Sequence, residues 1–414
     1  MNDGGRGRLH RRKVNVVQDM PRIISVDDHV LEPPDLWQSR LPAKFKDRGP
    51  RIERKRMGHD GHHWVEKADG AWCDVWHYDD LVNPLMMLSA AVGFENISLQ
   101  MTTFDEVRPG AWKQKERLAD MDLDNIEAAI CFPNTLPRFC GQTFMERDDK
   151  ELALLCVKAY NDWMIDEWSA GDGHGRLIPL TIVPLWDAQL AADEIRRCAA
   201  KGSHAVSFTE NPSPLGLPSL WDKDRYWDPF YQACDDTDTI ICMHIGSSSQ
   251  MPTTSPDAPM IVGCALDWQN AVGSLTDYLL SGTLERFPNI KLAYSEGQIG
   301  WMPYTLERID YVWDEFRDEQ FGNRLSQPPS TYARGRVYGC LFYDEAGLKN
   351  RDLIGMDQIC YETDYPHAQA TWPNTMDVFS RLCAKTGLND EEIYKLARGN
   401  AITGFGLQRF GITK

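Results

Sequence analysis

The sequence predicts an α/β fold, a (β/α)8 TIM barrel, and three observations carry that expectation. Eight short apolar runs recur along the 414 residues, each is apolar almost throughout rather than at alternate positions, and the stretches between them have helical spacing. A strand covered on both faces has no polar side, and parallel neighbours need a crossover, usually a helix. Alternating elements of this kind close into a parallel barrel. A barrel takes roughly 250 residues, so the chain has room for one barrel and a large insertion.

The runs cover residues 23–26, 126–132 (IEAAICF), 177–183 (LIPLTIV), 205–208 (AVSF), 239–245 (TIICMHI), 290–294 (IKLAY), 337–342 (VYGCLF) and 358–362 (QICYE). Between them, residues 151–168 place Leu155, Ala159 and Trp163 at helical intervals. Residues 188–200 form a second helix, with Gly202 as its stop. Residues 268–284 and 303–316 read the same way, and 391–398 follow Asn389-Asp390, a pair suited to an N-cap.

One connection is abnormal. Almost 100 residues separate the first two runs, far beyond an ordinary strand-to-helix loop. The insertion, residues 38–118, contains Trp64, Trp72, Trp76, Trp112 and Met86-Met87. It reads either as a packed satellite cluster or as a lid or subunit interface. Residues 1–20 carry Arg6, Arg8, Arg11, Arg12 and Lys13 without an apolar stretch, which suggests a disordered basic tail rather than a signal peptide, with the barrel over 21–414.

The net charge of −17 argues against a nucleic-acid partner, because an acidic surface repels phosphates. No apolar run reaches the ~18 residues of a membrane span. The 11 cysteines contain no CxxC pair and read as buried free thiols of a cytoplasmic protein.

Chemistry on such barrels sits where strands end. The first run ends in Asp27-Asp28-His29, the fourth in Glu210-Asn211, the fifth in His244, the sixth in Ser295-Glu296-Gly297, and the eighth in Thr363-Asp364-Tyr365-Pro366-His367. The second and third end in neutral residues, and the seventh in Tyr343-Asp344. Five ends thus bring acids or imidazoles to one mouth. So many acids buried together raise one another's pKa unless a cation joins them. Mixed imidazole and carboxylate donors suit zinc, iron or manganese, and suit calcium poorly. Asp27 and His29, two apart on a strand, point to the same face. His244 could instead be a hydrogen-bonded core histidine, and Asp364 a helix cap. His59, His62 and His63 read as a solvated loop, and His204 as structural.

The segments Val26-Asp27-Asp28-His29-Val30, Glu32-Pro33-Pro34-Asp35-Leu36-Trp37, Phe208-Thr209-Glu210-Asn211-Pro212 and Trp227-Asp228-Pro229-Phe230 resemble, in that order, the amidohydrolase-related family that includes aminocarboxymuconate-semialdehyde decarboxylase. So do Met243-His244-Ile245-Gly246, the stretch from Phe287 through Ser295-Glu296-Gly297 to Trp301, and Thr363-Asp364-Tyr365-Pro366-His367. The resemblance implies a barrel of the metal-dependent hydrolase type with Asp27, His29, His244 and Asp364 as ligands. Asp27 takes the place of the first histidine of an H-x-H pair. Glu296 stands where the decarboxylases carry a catalytic histidine.

The expected function is a metal-dependent hydrolase or decarboxylase acting on a small carbonyl or carboxylate substrate through a metal-bound water. One or two divalent transition-metal ions are expected, zinc first, with iron or manganese as alternatives. Asp364 would share the water proton, Glu296 is the second candidate base, and His367 would orient Asp364 or the substrate. Glu210 and Glu296 could serve a second ion. The alternatives are a dinuclear iron or iron/manganese monooxygenase subunit and a non-catalytic partner subunit, the chain working as a homodimer or beside a related barrel.

Overall fold

A computed structural model describes residues 20–61, 63–318, 322 and 325–413. The expected basic tail lies outside them except for Met20, as does His62. The fold is mixed α/β. Its strands in chain order are β1 (Ile23–Val30), β2 (Arg51–His59), β3 (Trp64–Glu66), β4 (Ala71–Tyr78), β5 (Leu81–Pro84), β6 (Ile126–Pro133), β7 (Leu177–Ile178), β8 (Ala205–Phe208), β9 (Ile240–His244), β10 (Leu292–Ser295), β11 (Val337–Leu341) and β12 (Ile359–Tyr361).

The eight strands expected from the apolar runs are β1 and β6 to β12. They form two parallel sheets, β1-β6-β7 and β12-β11-β10-β9-β8. Backbone contacts span both joints. At one, Thr181 bridges Val206 in parallel, with Thr181 N–H donating to Ala205 at 3.1 Å and Ser207 N–H to Thr181 at 2.8 Å. At the other, Asp364 N–H donates to the Asp27 carbonyl at 2.9 Å and His29 N–H to that of Tyr365 at 2.6 Å.

One buried cluster draws side chains from all eight strands, among them Ile24, Val26, Ile130, Ile178, Ala205, Cys242, Ala293, Cys340 and Cys360. The opposite faces, with Ala129, Cys131, Val206, Ile241, Leu292 and Tyr361, pack on Trp37, Phe144, Tyr160, Phe230 and Tyr278 in the surrounding layer. Both faces are therefore covered, which explains runs without a polar side. Ten of the eleven cysteines are buried and none is in a disulfide. No helix among the described residues is long and apolar enough to cross a membrane.

The third strand is far shorter than its seven-residue apolar run, because Pro179 has no N–H to donate to a ladder. The chain instead borrows a side chain. Buried Asn161, on the helix Lys150–Trp163, donates to the Ile182 carbonyl at 2.8 Å and accepts the Ile182 N–H at 2.9 Å. Its amide thus stands in for a neighbouring strand, and its second N–H goes to Glu194 at 2.7 Å. At the other end of the chain, Asn389 is the N-cap expected from the sequence, and Glu392, which the sequence reading did not single out, makes the cap reciprocal, at 3.0 and 2.9 Å.

Between β1 and β6 the chain builds a four-stranded antiparallel sheet, β3-β2-β4-β5. Its β4 is two-sided: Cys73 and Val75 pack on Met57, whereas Trp76 and Tyr78 enter the main core beside Trp37. Replacing Asn161 with Ala strands a buried N–H and carbonyl. We expect about 2–4 kcal/mol of destabilisation, read as a lower urea midpoint with an unchanged m-value.

Candidate metal centre

The site begins with an irregularity in β1. Ile24 and Ser25 pair with Ala128 and Ala129, but Asp28 and His29 pair with Cys131 and Phe132, so β1 holds one residue more than β6 over this interval. Strict alternation from Ile24 and Val26 would turn Asp28 inward. The extra residue reverses the phase, as a β-bulge does. Asp27 and His29 therefore point to the inner side. Asp28 turns toward the helical layer, where it accepts from Ser25 Oγ at 2.8 Å and faces Arg117 at 3.6 Å.

Around this pair, His244 arrives from the end of β9, Glu296 from just beyond β10, and Asp364 and His367 from beyond β12. Their donor atoms form two overlapping groups of four, Asp27-His29-His244-Glu296 and His29-Glu296-Asp364-His367, each within 4.8 Å. His29 Nε2 lies 3.1 Å from His244 Nε2, 3.5 Å from Asp27 Oδ1 and 3.6 Å from Asp364 Oδ1. His244 Nε2 is 3.5 Å from Asp27 Oδ2 and 3.6 Å from Glu296 Oε2. His367 stacks on the His29 ring, centroids 3.7 Å apart, with its Nδ1 2.9 Å from Asp364 Oδ1. Even so, Asp364 Oδ1 accepts no well-directed hydrogen bond.

Three features call for a cation. The His244 Nδ1 sits 2.6 Å from the Ile245 carbonyl and must donate, leaving Nε2 bare; His29 Nδ1 faces the Pro133 carbonyl at 3.5 Å. Two imidazole lone pairs thus point at each other. Neither Asp27 oxygen accepts a hydrogen bond from the described residues, although the side chain is fully buried. Burial also drives the carboxyls of Asp27, Glu362 and Asp364 well above the usual range and Glu296 to about 7. Repulsion from Glu362, Glu296 and Asp364 adds to the effect at Asp27. The imidazoles move the opposite way, with His29 well below its ordinary value and His367 at about 4, again chiefly through burial. A divalent ion removes both penalties, because it stabilises carboxylate and neutral imidazole together.

The backbone is held to this arrangement. Glu296 and Asp364 both adopt left-handed conformations, φ 57° and 56°, which cost a residue with a Cβ about 1–3 kcal/mol and persist where surroundings impose them. Behind them, fully buried Arg117 donates to the carbonyls of His29 and of Gly110 in the insertion, the latter at 2.7 Å. Its guanidinium also lies over the Tyr365 ring at 4.2 Å. One side chain thereby braces the residues that carry His29 and Asp364.

The amidohydrolase family model matches residues 60–407. The chain belongs to the amidohydrolase family. Within this family it is 24% identical over 323 residues to a gamma-resorcylate decarboxylase of Rhodococcus jostii (strain RHA1), covering 72% of this chain and 88% of that one. Its fold is similar to that of an amidohydrolase of Mycobacterium avium subsp. paratuberculosis K-10, with TM-score 0.67, 21% identity, and 93% and 99% of the two chains covered. It is also similar to a dihydroxybenzoic acid decarboxylase of Polaromonas sp. JS666, solved with manganese and 2-nitroresorcinol, with TM-score 0.61, 18% identity and 94% and 98% coverage.

Of the positions singled out in this amidohydrolase sequence, Asp27, His29, His244, Glu296, Asp364 and His367 converge. Asp364 Oδ1 and Asp27 Oδ1 both lie near one nitrogen of His29, and neither residue caps a helix. Glu210 does not join either group. Its Oε1 accepts from Gly246 N–H at 3.1 Å, Ser248 Oγ at 2.8 Å and Asn270 Nδ2 at 2.8 Å, which ties down the loop after β9. Asp344 accepts from Ile299 and Gly347 N–H groups and is structural. His204 bonds the Thr237 carbonyl at 2.7 Å, as a structural histidine would. Sequence reasoning missed Glu362, whose carboxylate receives the Glu296 N–H at 3.1 and 3.3 Å. The available signal was its spacing, two residues before Asp364, the same as that of Asp27 and His29. Arg117 carried no such signal.

His244→Ala should lose most of the bound metal, measured by elemental analysis of purified protein; retention at the native level overturns its role as a ligand. Arg117→Met should keep the fold but weaken metal binding about 10–100-fold, measured by chelator competition, with Arg117→Lys between the two.

Proposed function

We propose that this amidohydrolase is a metal-dependent carboxy-lyase or hydrolase of small carboxylates, decarboxylation being the better-supported reaction. The eight parallel strands are read as the wall of a (β/α)8 barrel, and residues 38–118 as an insertion lying over its mouth. The observation that carries the proposal is the pair of bare imidazole nitrogens 3.1 Å apart beside a buried carboxylate without a donor. Asp27, His29, His244 and Asp364 would hold the ion. The donor set suits manganese or iron as well as zinc, and manganese in the Polaromonas relative favours manganese here. When bound, such an ion acts as a Lewis acid toward a carboxylate or carbonyl oxygen.

The protein's own groups supply the rest. Asp27, His29, His244 and Asp364 are at most 2% exposed at their side chains, whereas Glu296 and His367 are 16% and 17% exposed. Substrate therefore reaches the centre on their side. In decarboxylation the carboxylate carbon leaves as CO2, and the electron pair left on the substrate carbon takes a proton. Glu296 is the group positioned to deliver it, replacing the histidine of the related decarboxylases. His367 orients the substrate head.

A second reading rests on a separate observation. The two donor groups share His29 and Glu296, so these residues would offer ligands for two ions, as a dinuclear oxygen-using hydroxylase would need. The relatives support the carboxy-lyase.

Manganese-loaded protein should release CO2 from 2,6-dihydroxybenzoate or 5-carboxyvanillate, with chelation abolishing it. Two ions per chain and oxygen-dependent product, without CO2, would overturn the assignment in favour of the hydroxylase. Glu296→Gln should lower kcat about 10²–10⁴-fold while the metal content holds.

A further inference from the structure

The loop after β9 leads into a helix that the fold leaves uncovered. Met260–Leu266 reads MIVGCAL, seven residues without a charge, and none of them is buried. Met260 is 62% and Ile261 73% exposed. Met251, ahead of this helix, and Trp268, just after it, are exposed as well. Four of the 15 exposed large apolar side chains among the described residues therefore fall within residues 251–268. A helix this short is marginal in water and owes its stability to the packing of an apolar face. Among the described residues, Met260 and Ile261 join no apolar cluster that could supply that packing.

The segment is nevertheless held at both ends. Asn270 Nδ2 donates to Glu210 at 2.8 Å and to the Gln250 carbonyl at 2.7 Å. Asp267 accepts the Trp268 N–H at 2.7 Å, and Trp268 Nε1 returns to the Ala265 carbonyl at 3.1 Å. The apolar helix is thus presented in a fixed position, on the loop that follows His244.

Charge decides what can cover it. The chain carries −17 overall, so two copies repel each other over most of their surfaces. Residues 258–266 contain no charge, and Asp257 and Asp267 stand just outside them. Here two copies can meet without opposing like charges at the centre of the contact. A charge-free helix offers nothing to a partner that binds by charge, whether nucleic acid or protein. Residues 251–268 also come close to the ~20–30 residues that a standard interface draws from each side.

We infer that the helix Met260–Leu266, with Met251 and Trp268, is the surface on which a second copy of this chain docks. A two-fold axis lets the same patch serve both copies. The contact is then made by this helix and not by the antiparallel sheet of the insertion, and it does not depend on the chemistry of the metal centre. Cys264 lies on the helix and is exposed, whereas the other ten cysteines are buried, so its thiol reports on the contact.

Sedimentation velocity on the full chain over a range of concentrations tests the contact. The chain should dimerise with a Kd on the order of 1 μM or tighter. Added salt should strengthen the dimer, because screening removes the repulsion and leaves the apolar contact. Ile261→Glu and Met260→Glu, both at exposed positions, should each weaken it about ten-fold or more with an unchanged urea midpoint. A flexible bis-maleimide should join native dimers covalently, and Cys264→Ser should abolish the link. A chain that stays monomeric at every concentration overturns the proposal. So does a dimer of native strength in both Glu variants, or a native dimer that the linker does not join. A monomeric chain that binds neutral phosphatidylcholine vesicles, and loses them in Ile261→Glu, assigns the helix to a lipid surface instead.

Discussion

Everything at the mouth of this fold answers to one electrostatic constraint: a buried concentration of carboxylates and bare imidazoles has to share a cation. Asp27 and His29 are fully buried, and among the described residues no lysine or arginine pairs with the Asp27 carboxylate. Arg117 is the nearest buried cation, and it spends its hydrogen bonds on backbone carbonyls and an aromatic face. Without a cation, burial pushes these carboxyls toward their neutral form; a divalent ion would let them stay ionised beside neutral imidazoles.

Holding six donors in one place requires local departures from regular structure. The bulge in β1 changes which face the Asp27–His29 pair occupies, and left-handed residues at Glu296 and Asp364 aim two carboxylates from the strand ends. Without the bulge, strict alternation from Ile24 and Val26 would have turned Asp27 and His29 into the helical layer. The same logic explains why Arg117 and Tyr365 are buried just outside the centre. They fix the carbonyl of His29 and the loop that carries Asp364, so a soft arrangement of ligands becomes a stiff one.

The family model places this chain among the amidohydrolases, and its fold is similar to those of aromatic-acid decarboxylases. Two local features characterise this chain: Glu296 joins the donor groups from beyond β10, and an antiparallel sheet is built between β1 and β6.

How much of this was legible without coordinates depends on the range of the interaction. The eight apolar runs and most helix limits were readable because burial on both faces, helical periodicity and an Asn389 cap are properties of neighbouring residues. The candidate ligands were readable because acids and histidines stood directly after those runs. Other features depend on contacts between residues far apart in the chain. The break at β7 was marked by Pro179, but its repair by Asn161 joins a helix to a strand edge. Glu210 stood at a strand end like the others, yet Ser248 and Asn270 draw it away from the donor groups. The inward turn of Asp27 depends on a bulge that appears only when β1 is laid against β6, and Arg117 acquires its role only when the insertion and the last strand close around it. The sequence alone thus determined which chemistry was available and near which strand ends. Tertiary structure decided which of those groups face one another, because pairing register and packing across the fold, not spacing along the chain, set the distances over which charges act.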